Sequence, residues 1–358
     1  MTAAAVLERA TAPLDRVRRA LMRVMLPMPF VGTALGKRDS RVALWAGAHA
    51  LVAFTLASTV PMLLFILGPV LLGVAHVAAD IRYLVIRRQL PGWWKNVVWL
   101  GCGTLLLVRI ADEAGVHALM TEQLLVCGWM ALALLAGAWS GGGRGRAAAA
   151  LPVLGALAWV TVVDPRMVRL VFVHVHNLVA VVLWLALFRS RLRSVLVPLT
   201  LMAAATAFFF TAQPFHWAQA TGGLQAFGLH LLVAADWVAP GLSPKNAVGL
   251  TMAYVFLQSV HYSAWLLLIP QEDLRSEGTT TFRMSARSLL ADFGTKGVVA
   301  IALTAIAVIA FAFVNVHKTR SMYLSLAMFH GYLELTLLCY FWARGKRPAG
   351  ERRQLARA

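Results

Sequence analysis

Residues 62–86 read MLLFILGPVLLGVAHVAADIRYLVI. As a helix, at about 1.5 Å per residue, this stretch is long enough to cross the roughly 30 Å of hydrocarbon in a bilayer. In that medium every backbone N–H and C=O must find its partner within the chain, so an apolar run of this length is a helix or part of a closed barrel. Barrels require short alternating strands, and the sequence shows none. The stretch also carries His76 and Asp80, i and i+4, on one helical face. Ionisable groups at membrane depth are costly and mark functional sites.

The rest of the chain repeats the first message. Its 358 residues are 60% hydrophobic and 13% charged, with a mean hydropathy of +0.72, whereas soluble domains carry about a quarter charged residues. Apolar runs place spans at roughly 43–59, 62–86, 94–111, 118–139, 147–163, 168–188, 195–211, 248–269, 297–316 and 321–343. The expected fold is an all-α integral membrane bundle of about ten transmembrane helices. Breaks fall at Pro61, Pro91-Gly92, the run Gly141-Gly142-Gly143 and Asp164-Pro165. No internal repeat is visible.

The net charge of +18 could suggest nucleic acid, but its placement argues for membrane lipids. Basic residues gather at span ends: Arg16, Arg18, Arg19 and Arg23; Arg82, Arg87 and Arg88; Arg189, Arg191 and Arg193; Arg344, Lys346 and Arg347. Excess Lys and Arg on cytoplasmic flanks is the positive-inside pattern, with anionic headgroups as partners. No soluble domain presents these clusters to nucleic acid. Counting them places both termini in the cytoplasm of a bacterial-type inner membrane. Residues 1–41 then form a basic N-terminal segment without a cleavable signal, 42–343 the transmembrane domain, and 344–358 a basic tail. Within 14–28, Leu, Val and Met alternate with Arg at near-helical spacing, as in a helix lying on the membrane surface. Residues 213–246 are expected on the outer face as a re-entrant or interfacial segment, and 270–296 as a polar cytoplasmic loop. If 224–240 crossed instead, the later topology would invert. Cys102, Cys127 and Cys339 lie in apolar runs and read as core residues rather than a disulfide framework.

Most of the ten histidines lie in or beside spans. One layer, near mid-membrane or toward the cytoplasm, contains His49, His76 with Asp80, His261, and His330 with Glu334. The second His–carboxylate pair repeats the i,i+4 spacing of the first. Inward side chains from several facing helices are how bundles build metal sites. Imidazole suits iron, zinc and copper, and a carboxylate can ligate or orient a histidine. His49, His76, His261, His330, Asp80 and Glu334 are therefore the candidate metal ligands. A second layer near the outer face holds His174, His176, His216, His230 and His317. His174 and His176 lie about 200° apart around a helix, so one can point at a site while the other faces a neighbour. The blander reading of any single buried histidine is an interhelical hydrogen bond. For His317, beside Lys318 and Arg320, for His117 and for His216, an interfacial role is the simpler one.

The stretch Gly73-Val74-Ala75-His76-Val77-Ala78-Ala79-Asp80 resembles the Gly-x-x-His-Gly-x-x-Asp helix motif of the Brp/Blh family of bacterial carotene-cleaving dioxygenases, with Val77 in place of the second glycine. That resemblance implies a multi-pass membrane protein in which histidines hold ferrous iron and O₂ splits a carotenoid. It makes His76 a ligand and puts Asp80 close by. It covers one helix and assigns no role to His49, His261 or His330.

The histidine boxes of membrane desaturases are absent, as are Cys-x-x-Cys-His, Gly-x-Ser-x-Gly, Walker and His-Glu-x-x-His motifs. The expected function is a metal-dependent membrane oxidoreductase, a histidine-ligated non-haem iron oxygenase acting on an apolar lipid or carotenoid. Two alternatives stay open: a b-type haem electron-transfer protein with axial histidines, and a transporter using the same residues as a proton or metal path.

Overall fold

In a computed structural model, residues 3–88, 90–188, 192–273 and 281–345 are described. Arg189, Arg191, Lys346, Arg347 and the rest of the basic tail lie outside them, as does part of the 270–296 connection. The N-terminal region forms α1 (Ala3–Met25) and α2 (Pro29–Gly36). The long helices follow: α3 (Arg38–Thr59), α4 (Pro61–Asp80), α5 (Gly92–Glu113), α6 (Leu119–Gly141), α7 (Arg144–Val163), α8 (Pro165–Phe188) and α9 (Leu192–Phe208). Pro61 at the first turn of α4 starts that helix where a missing N–H costs nothing.

After α9 the chain turns through 80° into the short α10 (Gln213–Ala220). A two-residue hairpin, β1 (Gln225–Ala226) and β2 (Leu229–His230), leads to α11 (Leu231–Val238). α10 and α11 have 8 residues each, about 12 Å at 1.5 Å per residue, so neither crosses a bilayer alone. The alternative in which 224–240 forms a full span is thereby corrected. The segment's apolar residues pack on neighbouring helices instead: Leu231, Ala234 and Ala235 are buried, chiefly against α12 (Pro244–Ser263).

The last helix, α13 (Phe282–Arg344), covers 63 residues and is broken by non-helical backbone at Gly294 and Asn315. It has three parts: 282–293, 295–314 and 316–344. Most of the described residues of the expected loop 270–296 are thus helical. Ile269–Asp273 continues the chain after α12 as a 3₁₀ turn, and 282–293 docks where Ser288 and Asp292 meet Arg82 and Arg87. Asp292 Oδ2 accepts from Arg82 at 2.5 Å and Arg87 at 2.8 Å. Polar residues hid a helix whose contacts are ionic.

Among the described residues, seven helices are long and apolar enough to cross a membrane, or eight if the bent α9–α10 pair counts as one span. The difference from about ten has physical causes. α5 carries Lys95, Arg109, Asp112 and Glu113, α9 stops at 17 residues, and the last two expected spans are parts of α13. Arg109 is buried and bonds Glu122 at 2.8 Å, Asp112 at 3.0 Å and Ser325 at 2.6 Å. The network ties α5 and α6 to the last part of α13. Large apolar side chains outside the core, such as Leu100, Trp159 and Phe313, suit lipid as solvent.

Candidate metal centre

Four helices bring their imidazoles to one place. α4 supplies His76, with Asp80 one turn later; α8 supplies His176; α12 supplies His261; the last part of α13 supplies His330 and Glu334. All but His176 are buried, and His176 is mostly covered. Ring centroids lie 4.4 Å apart for His176–His261, 4.7 Å for His76–His330, 4.9 Å for His176–His330 and 5.3 Å for His76–His261. Helix α8 approaches this closely because residue 331 is glycine: a Cβ there would sit 2.8 Å from His176 Nδ1.

The donor atoms point inward. His76 Nε2 and His330 Nε2 stand 3.0 Å apart. His330 Nδ1 donates to the Ala327 carbonyl, an acceptor only, so its Nε2 carries the free lone pair. Glu334 Oε1 accepts from Trp265 Nε1 at 2.7 Å and lies 3.7 Å from His261 Nε2, while its Oε2 is 3.5 Å from His176 Nδ1. Two overlapping donor groups result, His176–His261–His330–Glu334 and His76–Asp80–His330, each with its ligand atoms within 4.8 Å of one another. Donors on one first-row ion at about 2.0–2.2 Å sit no more than roughly 4.4 Å apart, so small side-chain adjustments suffice.

Several of these buried atoms have no hydrogen-bond partner: both Asp80 oxygens, Glu334 Oε2, His76 Nδ1, His176 Nδ1 and both His261 nitrogens. Most buried polar atoms in proteins are paired, and an unpaired one costs about 1–3 kcal/mol. So many orphaned donors side by side fit a cation, and a cavity of about 90 Å³ lies against His76, His176, His261 and His330. The donors could hold a metal ion.

Helical stretches of π type follow two of the ligands: Ile81–Ile86 begins directly after Asp80, and Ala264–Leu268 begins just after His261. Such turns shift the register of a helix and recur at functional sites. The second one aims Trp265 at Glu334.

Of the expected ligands, His76, Asp80, His261, His330 and Glu334 converge. His49 is in neither donor group. It is only partly buried, at the edge of the packed face of α3, with its ring 6.1 Å from Trp45. His176, expected in an outer layer, belongs to the centre. The neighbouring His174 points away and bonds the Val238 carbonyl at 2.8 Å. His230 caps α11 by accepting from Leu232 N–H, and His317 bonds the Phe227 carbonyl. Trp265 gave no signal in sequence, because its aim depends on the π turn. The His-x-His pair was the available clue to His176.

No protein-family model, characterised protein or solved structure matches the chain. The centre must be interpreted from its own chemistry.

Proposed function

We propose that this chain is an integral-membrane, metal-dependent oxidoreductase: a histidine-ligated non-haem iron oxygenase acting on an apolar lipid. The observation that carries the reading is the largely buried set of four imidazoles and two carboxylates whose donor atoms converge, several of them without a hydrogen-bond partner. Nitrogen and oxygen donors without thiolate suit a first-row transition ion such as iron. When bound, such an ion supplies O₂ activation. The protein's own residues would do the rest. His176, His261, His330 and Glu334 would hold the ion, with His76 and Asp80 completing or orienting the set. Trp265 fixes Glu334, and the apolar walls keep bulk water out.

The resemblance of 73–80 to the helix motif of carotene-cleaving dioxygenases favours the same chemistry and suggests a polyene substrate. For b-type haem, a cavity of about 90 Å³ with rings packed edge to face accommodates an ion and small ligands, not a macrocycle. We further propose multi-pass insertion in a bacterial-type inner membrane with both termini cytoplasmic, as the Lys/Arg distribution favours.

The test is elemental analysis and absorption spectroscopy of protein purified without added metal or chelator, with O₂ uptake measured on membrane lipid extract. Near-stoichiometric iron, no Soret band and lipid-dependent O₂ uptake are expected. A Soret band would favour haem. Absence of any stoichiometric metal would remove the reading and leave the transporter.

A further inference from the structure

A second, larger cavity of about 990 Å³ runs beneath the middle part of α13, 295–314, against α4 and α5. That part rises roughly 30 Å at 1.5 Å per residue, so the groove is as tall as a bilayer's hydrocarbon. Its walls are apolar along the middle, with Val77, Ile81, Leu106, Ile301, Val308 and Leu326 among them. Charged lining residues stand at the ends, Asp292 at one and Lys318 at the other. An apolar slot of this height suits one extended hydrocarbon chain lying along the membrane normal. A compact polar molecule would leave the walls unfilled.

Helix α4 separates this groove from the metal cavity. Its Val74, Val77 and Ala78 line the groove while His76 lines the cavity. One side chain borders both: Tyr323. Its ring rests on Gly73, one turn before His76, in space that any Cβ at position 73 would occupy. Its hydroxyl is buried and has no hydrogen-bond partner, an arrangement that invites a ligand.

We propose that the groove holds the chain of an elongated apolar lipid, and that Tyr323 is the gate through which that chain reaches the metal cavity. Turning the ring off Gly73 would join the two spaces. Treating the inner cavity as the reaction chamber rests on the metal-site reading above; the occupancy of the groove and the barrier at Tyr323 do not.

The test is photolabelling of the full chain in phosphatidylcholine nanodiscs with a long-chain alkyl diazirine, mapped by peptide mass spectrometry. In the unaltered protein, labelling at Ile301, Val308 and Leu326 is expected to exceed severalfold that at Leu100 and Val153, which are exposed and do not line the groove. Met328, which lines only the inner cavity, should be labelled weakly. Tyr323→Ala should raise Met328 labelling severalfold; Tyr323→Leu gives the same readout in a smaller step should the alanine variant not purify. Tyr323→Phe keeps the bulk and should match the unaltered protein.

Equal labelling of groove and outward residues would overturn the groove site, as would probe-independent crosslinking showing a second copy seated there. Met328 labelling that is already high, or that stays low in both truncated variants, would overturn the gate. Labelling is read without reference to bound metal. A metal-free chain with the expected pattern would therefore remove the oxygenase reading and leave the gate standing.

Discussion

Trp265 is the residue whose replacement separates a metal centre from a merely packed polar cluster. Its indole N–H bonds Glu334 Oε1 at 2.7 Å. If Glu334 serves a metal, Trp265→Phe should weaken metal retention about 10–100-fold, the usual cost of losing an outer-shell partner. If the bond is only structural, the loss should be a stability change of about 0.6–1.7 kcal/mol with metal content unchanged. Parallel metal-to-protein ratios and thermal unfolding in detergent separate the two. In the same measurement His261→Ala should bring metal to background and Asp80→Asn should keep part of it. His49→Ala should leave the ratio at the unaltered value, since His49 belongs to neither donor group. Equal ratios in His261→Ala and the unaltered protein would sink the centre.

Among the elements, α1 and the first part of α13 form a unit that can be tested by pH. Asp15 on α1 accepts from the backbone N–H groups of Phe282 at 2.8 Å and Arg283 at 3.2 Å, and from the Arg283 side chain at 3.3 Å. A carboxylate thus satisfies donors that the start of α13 leaves open. Burial works to raise the Asp15 pKa, but these N–H groups and the guanidinium outweigh it and hold the carboxyl below its ordinary value. Glu8 is lowered as well, first by its hydrogen bond from Arg287. For a depressed carboxylate the contribution is fully present above the ordinary pKa of about 4 and is lost as pH falls through the lower folded value. Amide exchange at residues 282–285 should stay slow from neutrality down to about pH 4 and quicken below it. Asp15→Asn should quicken it at neutral pH; protection unchanged by the substitution would mean that α1 is not held here. Leu14, Val17, Leu21 and Val24 on α1 remain exposed at helical spacing, the stripe expected of a helix lying on a lipid surface.

For the whole molecule, orientation and internal charge decide the outcome. The proposed orientation, with both termini cytoplasmic, puts α10, the hairpin and α11 on the outer side. A single cysteine at Ser243, ahead of α12, should react with an impermeant maleimide only from outside; labelling only from the cytoplasmic side would invert the arrangement. The Arg109 network carries the other prediction. Removing one partner of a buried ion pair costs about 3–5 kcal/mol, because Glu122, wholly buried, would be left uncompensated. Arg109→Ala should therefore lower the unfolding temperature markedly, and the double change Arg109→Met with Glu122→Gln should recover much of the loss. A small effect of Arg109→Ala would mean that water reaches the network.

Hydropathy, charge placement and i,i+4 spacing determined a great deal here without coordinates. They established an α-helical membrane bundle, and they singled out His76 with Asp80 and His330 with Glu334, because side-chain period along a helix is a local property. The sequence placed His261 in the same layer for a related reason: depth follows from position within a span. Lateral convergence is not local. Which face of α8 turns inward depends on Gly331 admitting it, so packing decided that His176 takes the site and His174 the neighbour. His49 was expected in the same layer but joins neither donor group. The helical character of 282–293, the breaks at Gly294 and Asn315, the aim of Trp265 and the groove behind Tyr323 all arise from contacts between segments far apart in the chain, and only the tertiary structure could decide them.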